Sequence, residues 1–166
     1  GNHDYAEYVK LSPEQELRNI YETRSVEKRC GWNLLLNSNH TIRRGRDSIV
    51  IAGEQNFERP DSANFTRTMR GVGARAFTIV LQHNPKAWEK HIVKDARARL
   101  TLCGHTHGGQ LSLFGFRPTQ IEYHQDDGLY KMANRYLYVS SGLGGLVPFR
   151  LGVTPEIVVI TLHKAK

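Results

Sequence analysis

The feature that most constrains the fold is a pair of apolar, β-rich runs separated by one helix-length segment. Residues 77–81 read Phe-Thr-Ile-Val-Leu and residues 100–103 read Leu-Thr-Leu-Cys, with a helical pattern over 85–94 between them. Unbroken apolar runs are what a strand covered on both faces requires. Strand, helix and strand at this spacing make a βαβ unit, in which the two strands run parallel through a right-handed crossover. That unit places the chain in the α/β class.

The flanking elements follow from local signals. Ser12, Pro13 and Gln15 give a hydroxyl N-cap, a proline at the first helical position and a capping-box partner. Leu17, Ile20 and Tyr21 then form a short helical stripe, and Gly31 supplies the stop. Strands are expected over 34–42 and 48–52, joined as a hairpin through Arg44-Gly45-Arg46-Asp47. Residues 55–64 are polar and contain Pro60, so they read as a loop, with a short helix after them ending near Gly71 and Gly73. Residues 111–131 read as irregular. Two more strands are expected over 136–139 and 156–162, separated by the glycine-rich stretch Ser141-Gly142-Leu143-Gly144-Gly145.

At 166 residues the chain is one domain by length and long enough to bury a core without staples. Cys30 and Cys103 are too few for a disulfide framework, and no C-x-x-C pair exists for zinc or redox work. Cys103 falls inside a strand pattern and reads as a small buried hydrophobe. No apolar stretch reaches the ~18 residues that a spanning helix needs. The net charge of +7 suits anionic partners, but the basic residues are scattered in small clusters such as Arg43, Arg44 and Arg46. That pattern reads as a solvated basic surface and argues against nucleic acid.

Three histidines stand out by position. His83 follows the first strand of the βαβ unit, and His105 follows the second. In a parallel pair both positions lie at the carboxyl edge, where open α/β sheets bind ligands. Neighbouring strands are ~4.8 Å apart, so two imidazoles there could share one ion at about 2.1 Å. His107 adds a third ring from the same turn, which Gly104, Gly108 and Gly109 allow to fold tightly. Taken singly, a histidine after a strand is more often a surface or capping residue, and the His-x-His alone does not decide for metal. A structural zinc site built from His83, His105 and His107 is one alternative, although it would need Cys103 to turn outward as a fourth ligand. A non-catalytic basic module binding phosphate or nucleic acid is another. His40, His91, His124 and His163 lack such neighbours and read as structural or solvent-facing.

Read together, Gly1-Asn2-His3-Asp4, Leu81-Gln82-His83-Asn84-Pro85 and Cys103-Gly104-His105-Thr106-His107 resemble, in order, the last three signature blocks of the calcineurin-like metallophosphoesterases. The tail Tyr138-Val139-Ser140-Ser141-Gly142-Leu143-Gly144 and the Gly108-Gly109-Gln110 that follows the last histidine are similar to the bacterial branch of membrane-associated phosphodiesterases, some of which hydrolyse the pyrophosphate of UDP-diacylglucosamine. The resemblance implies the C-terminal half of a four-layer αββα sandwich, as a single domain over 1–166.

It also implies a metal-dependent phosphoester hydrolase acting on phosphomonoester, phosphodiester or pyrophosphate substrates. Asn2, His83 and His105 would hold one divalent ion and His107 the other. A hydroxide bridging the two ions would attack phosphorus, while His3 assists the leaving group. Asp4 is given only a supporting duty. Mixed ligand shells of this kind suit Mn, Fe, Co, Ni or Zn. The family's Asp-x-His and Gly-Asp blocks would precede Gly1, so this stretch alone is expected to be inactive, to be metal-free or hold one weak ion, and to self-associate. The parent protein is expected to meet a membrane or lipid head group.

Overall fold

The computed structural model describes residues 1–58 and 61–164; Pro60, on which the loop reading of 55–64 leaned, lies outside them. The chain opens with a 3-10 turn, Asn2–Tyr5, followed by helix α1 (Pro13–Arg29). Strands β1 (Ser38–Arg44) and β2 (Asp47–Gly53) come next, then the single turn α2 (Phe65–Thr68). Strand β3 (Thr78–Leu81), helix α3 (Lys86–Lys90) and β4 (Ala98–Cys103) form the βαβ unit. The hairpin of β5 (Gly128–Met132) and β6 (Arg135–Val139) completes one six-stranded sheet of order β1-β2-β3-β4-β6-β5.

Strands β2, β3, β4 and β6 run parallel, and the two outer strands are antiparallel. The α/β class holds. The described residues form one mixed sheet, and a second sheet of a four-layer sandwich is not among them.

The two faces of that sheet differ. Val50, Ala52, Val80, Cys103, Leu137 and Val139 turn to one side and bury against Trp88, Ile92, Val93 and Met69. Each large apolar side chain so buried contributes roughly 1.5–3 kcal/mol. Cys103 sits in this cluster, and burial pushes its thiol well up, so it is not turned toward the histidines as the zinc alternative required. Residues of the opposite parity, such as Leu81 and Tyr136, remain partly exposed.

Several expectations needed correction. β1 begins at Ser38, four residues later than expected. Asn37 has φ +50, and its side chain is stitched to Gln55 N, Asn64 N and Ser62 O, so the backbone there cannot join a ladder. The stretch 111–131 is not wholly irregular, since it ends in β5. The final expected strand, 156–162, is not a strand. Val158, Ile160 and Leu162 line an apolar cleft with Phe77, Leu100 and Tyr136, so the segment lies over the sheet face rather than beside an edge. Its alternating sequence lacks the partner that pairing requires.

Helix α1 has its capping box, with Ser12 and Gln15 bonded reciprocally. Its apolar stripe buries nothing, however; Leu17 is 70% exposed and Tyr21 73%. The helix is held by polar contacts, with Arg24 and, from the N-terminal turn, Tyr5 both donating to Gln55 Oε1. No helix among the described residues is long and apolar enough to cross a membrane.

Candidate metal centre

The registers of β3 and β4 pair Leu81 with Leu102, so both strands end at one edge. The chain leaves that edge at His83 and His105, and Gly104 N bonds His83 O at 3.1 Å. The two imidazole centroids lie 5.0 Å apart, edge to face. This is close enough for both rings to reach one ion with bonds of about 2.1 Å.

Gly1 brings the N-terminal turn against this pair. A Cβ on Gly1 would meet the His83 ring at 2.5–2.8 Å, so only glycine lets the backbone pass so closely. Asn2 is thereby buried at 2% exposure. Its Nδ2 donates to Glu7 Oε2 at 2.6 Å and Tyr8 Oη at 2.9 Å, while Oδ1 is buried without a hydrogen-bond partner. An orphaned buried carbonyl oxygen is costly unless something fills its place. A divalent cation is the species that such an oxygen beside two imidazoles fits.

The electrostatics point the same way. Burial, then the positive Gly1 amino group, then the cost of placing a charge beside the titratable rings of His105, His107 and His3, pushes the His83 imidazole down to about 3. His105 and His107 are also displaced downward, burial being the main cause for each. Neutral rings are the form that binds metal. Among the described residues no group of three or more His, Cys, Asp or Glu is placed to hold an ion. What this edge offers is two neutral imidazoles 5.0 Å apart, with a buried, unpartnered amide oxygen in the turn packed against His83.

The turn carrying His105 and His107 is strained. His105 (φ +73), His107 (φ +53) and Gln110 (φ +54) all lie in the left-handed region, which non-glycine residues occupy sparingly and mostly where function demands it. The surroundings hold it there. Thr106 Oγ1 donates to Asp126 O at 2.6 Å, Arg150 donates to His107 O at 3.2 Å, and Gln110 Nε2 donates to Val147 O and Phe149 O. Asp126, 1% exposed, is gripped by Arg117 through bonds of 2.7 and 2.9 Å. Burial pushes the Asp126 carboxyl up, but the Arg117 and Thr119 bonds outweigh it and hold it below its ordinary value.

The remaining candidates are also placed. His3 is exposed, its ring 4.7 Å from that of Tyr8, and it lines an open cleft of about 280 Å³ with His105 and His107. Asp4 pairs with the Gly1 amino group. His91 lies between Phe57 and Phe65 and bonds Glu54, while His124 meets Glu89 at the surface; both lie away from the site.

Sequence reasoning missed Glu54, Gln82 and Tyr123. Glu54 follows the carboxyl end of β2 and accepts from Gln82 Nε2 at 2.8 Å, anchoring the residue next to His83. The strand-end argument that singled out His83 would have found Glu54 had β2 been known to run parallel to β3. Tyr123 Oη lies 2.8 Å from His105 Nε2. Its phenol is pushed up by burial and by the Glu122 and Glu58 charges, so it stays a neutral hydroxyl.

Comparison with known proteins shows what the chain is similar to. The chain is 28% identical over 169 residues to an uncharacterised metallophosphoesterase of Aquifex aeolicus, covering 98% of this chain and 58% of that protein. It is 28% identical over 166 residues to the uncharacterised metallophosphoesterase YkuE of Bacillus subtilis, covering 98% and 54%. Over 88 residues it is 39% identical to the phosphodiesterase YaeI of Escherichia coli, covering 51% and 32%. Over 98% of its length the chain is similar to proteins named metallophosphoesterases, in line with the resemblance its histidine blocks carry. No family model and no solved structure matches it. The chain spans about half the length of the curated relatives it matches.

Proposed function

We propose that the whole protein hydrolyses a phosphoester with divalent metal, and that this chain supplies Asn2 Oδ1, His83 and His105 to one ion and His107 to a second. The observation that carries the reading is the unpartnered, buried Asn2 Oδ1 in the turn that Gly1 packs against His83, whose ring lies 5.0 Å from that of His105. Mn, Fe, Co, Ni or Zn would suit such donors. When bound, a pair of such ions supplies Lewis-acid activation of water and charge stabilisation at phosphorus.

The chain's own residues then divide the work. Asn2 is buried and His83 half-buried, which suits ligation. His3 is exposed in the cleft it shares with His105 and His107, which suits delivery of a proton to the departing oxygen. The net charge of +7 favours approach of a phosphate-bearing substrate. The 39% identity to a named phosphodiesterase favours a phosphodiester over a monoester.

A non-catalytic phosphate-binding module is the weaker reading. Its basic cluster, Arg43, Arg44 and Arg46, sits at the β1–β2 turn. Because β2 runs parallel to β3, that turn is at the end of the sheet opposite the histidines.

The test is an assay of the whole protein on a chromogenic phosphodiester, with a phosphomonoester for comparison. Manganese or zinc should be required, and the diester should be preferred. His3→Ala should lower kcat by about 10²–10⁴-fold with metal content unchanged, the range for loss of a general acid. Full activity after chelation would overturn the proposal.

A further inference from the structure

We infer that Tyr123 is a positioning residue that fixes His105 in the Nε2–H tautomer, so that Nδ1 is the nitrogen turned toward an ion. This rests on His105 being a metal ligand, as proposed above. The geometry is direct: Nε2 is committed to the Tyr123 hydroxyl at 2.8 Å, with the rings 5.5 Å apart and edge to face. Nδ1 is the ring nitrogen left over. Histidine ligands usually hold their second nitrogen on a carboxylate, carbonyl or water, which sets the tautomer and the ring plane. With Nδ1 on the ion, the neutral phenol oxygen takes that position and accepts from Nε2–H across the 2.8 Å contact.

Tyr123 is itself held from behind. The Lys86 ammonium lies over its ring, 4.6 Å from the centroid. Lys86 is pinned in turn by Glu122 at 2.6 Å and Glu58 at 3.5 Å, and Glu58 also accepts from Asn84 Nδ2 at 3.2 Å. Lys86 opens α3 and Asn84 directly follows His83. The clamp therefore ties the 118–123 turn to the βαβ unit that presents both histidines. Without it, the hydroxyl would be carried by an irregular loop. These groups line one open cleft of about 480 Å³, reaching from Asn2 and His105 to Lys86 and Glu122.

The test uses the full chain labelled with ¹⁵N-histidine, at pH 8 and without metal, read by long-range ¹H–¹⁵N correlation. His105 should show a protonated Nε2 and a bare Nδ1. Tyr123→Phe should leave a mixture of tautomers, and calorimetric titration with manganese or zinc should show affinity lower by about 10–100-fold, the range for loss of an orienting partner. A merely structural tyrosine would not move the tautomer ratio. A protonated Nδ1 in the unsubstituted chain overturns the inference, and needs no variant to fold. So does a Tyr123→Phe chain with tautomer and affinity both unchanged. An Nε2–H tautomer in a whole protein that binds neither ion sinks the metal reading instead, which tells the two failures apart.

Discussion

His105→Ala is expected to reduce metal-dependent turnover of the whole protein by about 10³-fold or more. Lewis-acid stabilisation at a phosphoryl centre is worth several kcal/mol, and ~4 kcal/mol of lost transition-state stabilisation corresponds to about 10³ in rate. The ring is one of only two imidazoles at the shared position, and it is placed by a backbone at φ +73 that alanine would have little reason to keep. Two losses therefore coincide in one substitution: the donor itself and the strained turn that carries His107. Metal content should fall with activity. This pattern separates His105 from His3, whose removal should spare metal content. The check is kcat/KM beside metal analysis of the same preparation; a variant that keeps its metal and loses only turnover would remove His105 from the ligand set.

Acid should destabilise the metal-free protein through His83. Its folded-state value, about 3, lies below the ordinary imidazole value of 6.5. Above 6.5 the ring is neutral in both states and contributes no pH dependence. As pH falls below 6.5 the unfolded chain binds a proton that the folded chain refuses. Stability is therefore lost between about 6.5 and 3, at ~1.4 kcal/mol per pH unit. His105 and His107 are displaced in the same direction and add with the same sign. Urea unfolding of chelated protein at pH 7 and pH 4.5, compared with His83→Gln, should show the variant losing about 2.5 kcal/mol less over that interval. Parallel losses would mean that the His83 ring is protonated as readily in the folded chain as in water.

What could be read from the sequence was what local pattern decides. The βαβ unit was legible because its strands are adjacent and its apolar runs are short and unbroken. The β1–β2 hairpin was legible because Gly45, at φ +60, marks the turn. His83 and His105 were legible because strand ends predict an edge. The segment 156–162 was misread because alternation reports a face to cover, whereas a strand also needs a neighbour with free backbone groups. β5 was missed because it opens on Gly128 and lies at the sheet edge, where only one face and one neighbour constrain it.

Tyr123 and Glu54 were missed for a different reason. Each meets its imidazole partner only through tertiary placement, Tyr123 meeting His105 18 residues away and Glu54 meeting His91 37 residues away. No periodicity in the intervening sequence encodes that distance. Asn2 was legible as a candidate only through the family's block. Its unsatisfied Oδ1 became visible once the turn was seen folded against His83.

The central claim is that Asn2, His83 and His105 converge on one divalent ion. Anomalous diffraction from crystals of the whole protein soaked in millimolar manganese tests it most directly. The predicted result is a strong peak bonded to Asn2 Oδ1 and to one nitrogen each of His83 and His105, at about 2.1–2.3 Å, the range of imidazole and oxygen ligation. A peak held by other residues, or none at this edge under saturating metal, would contradict the account.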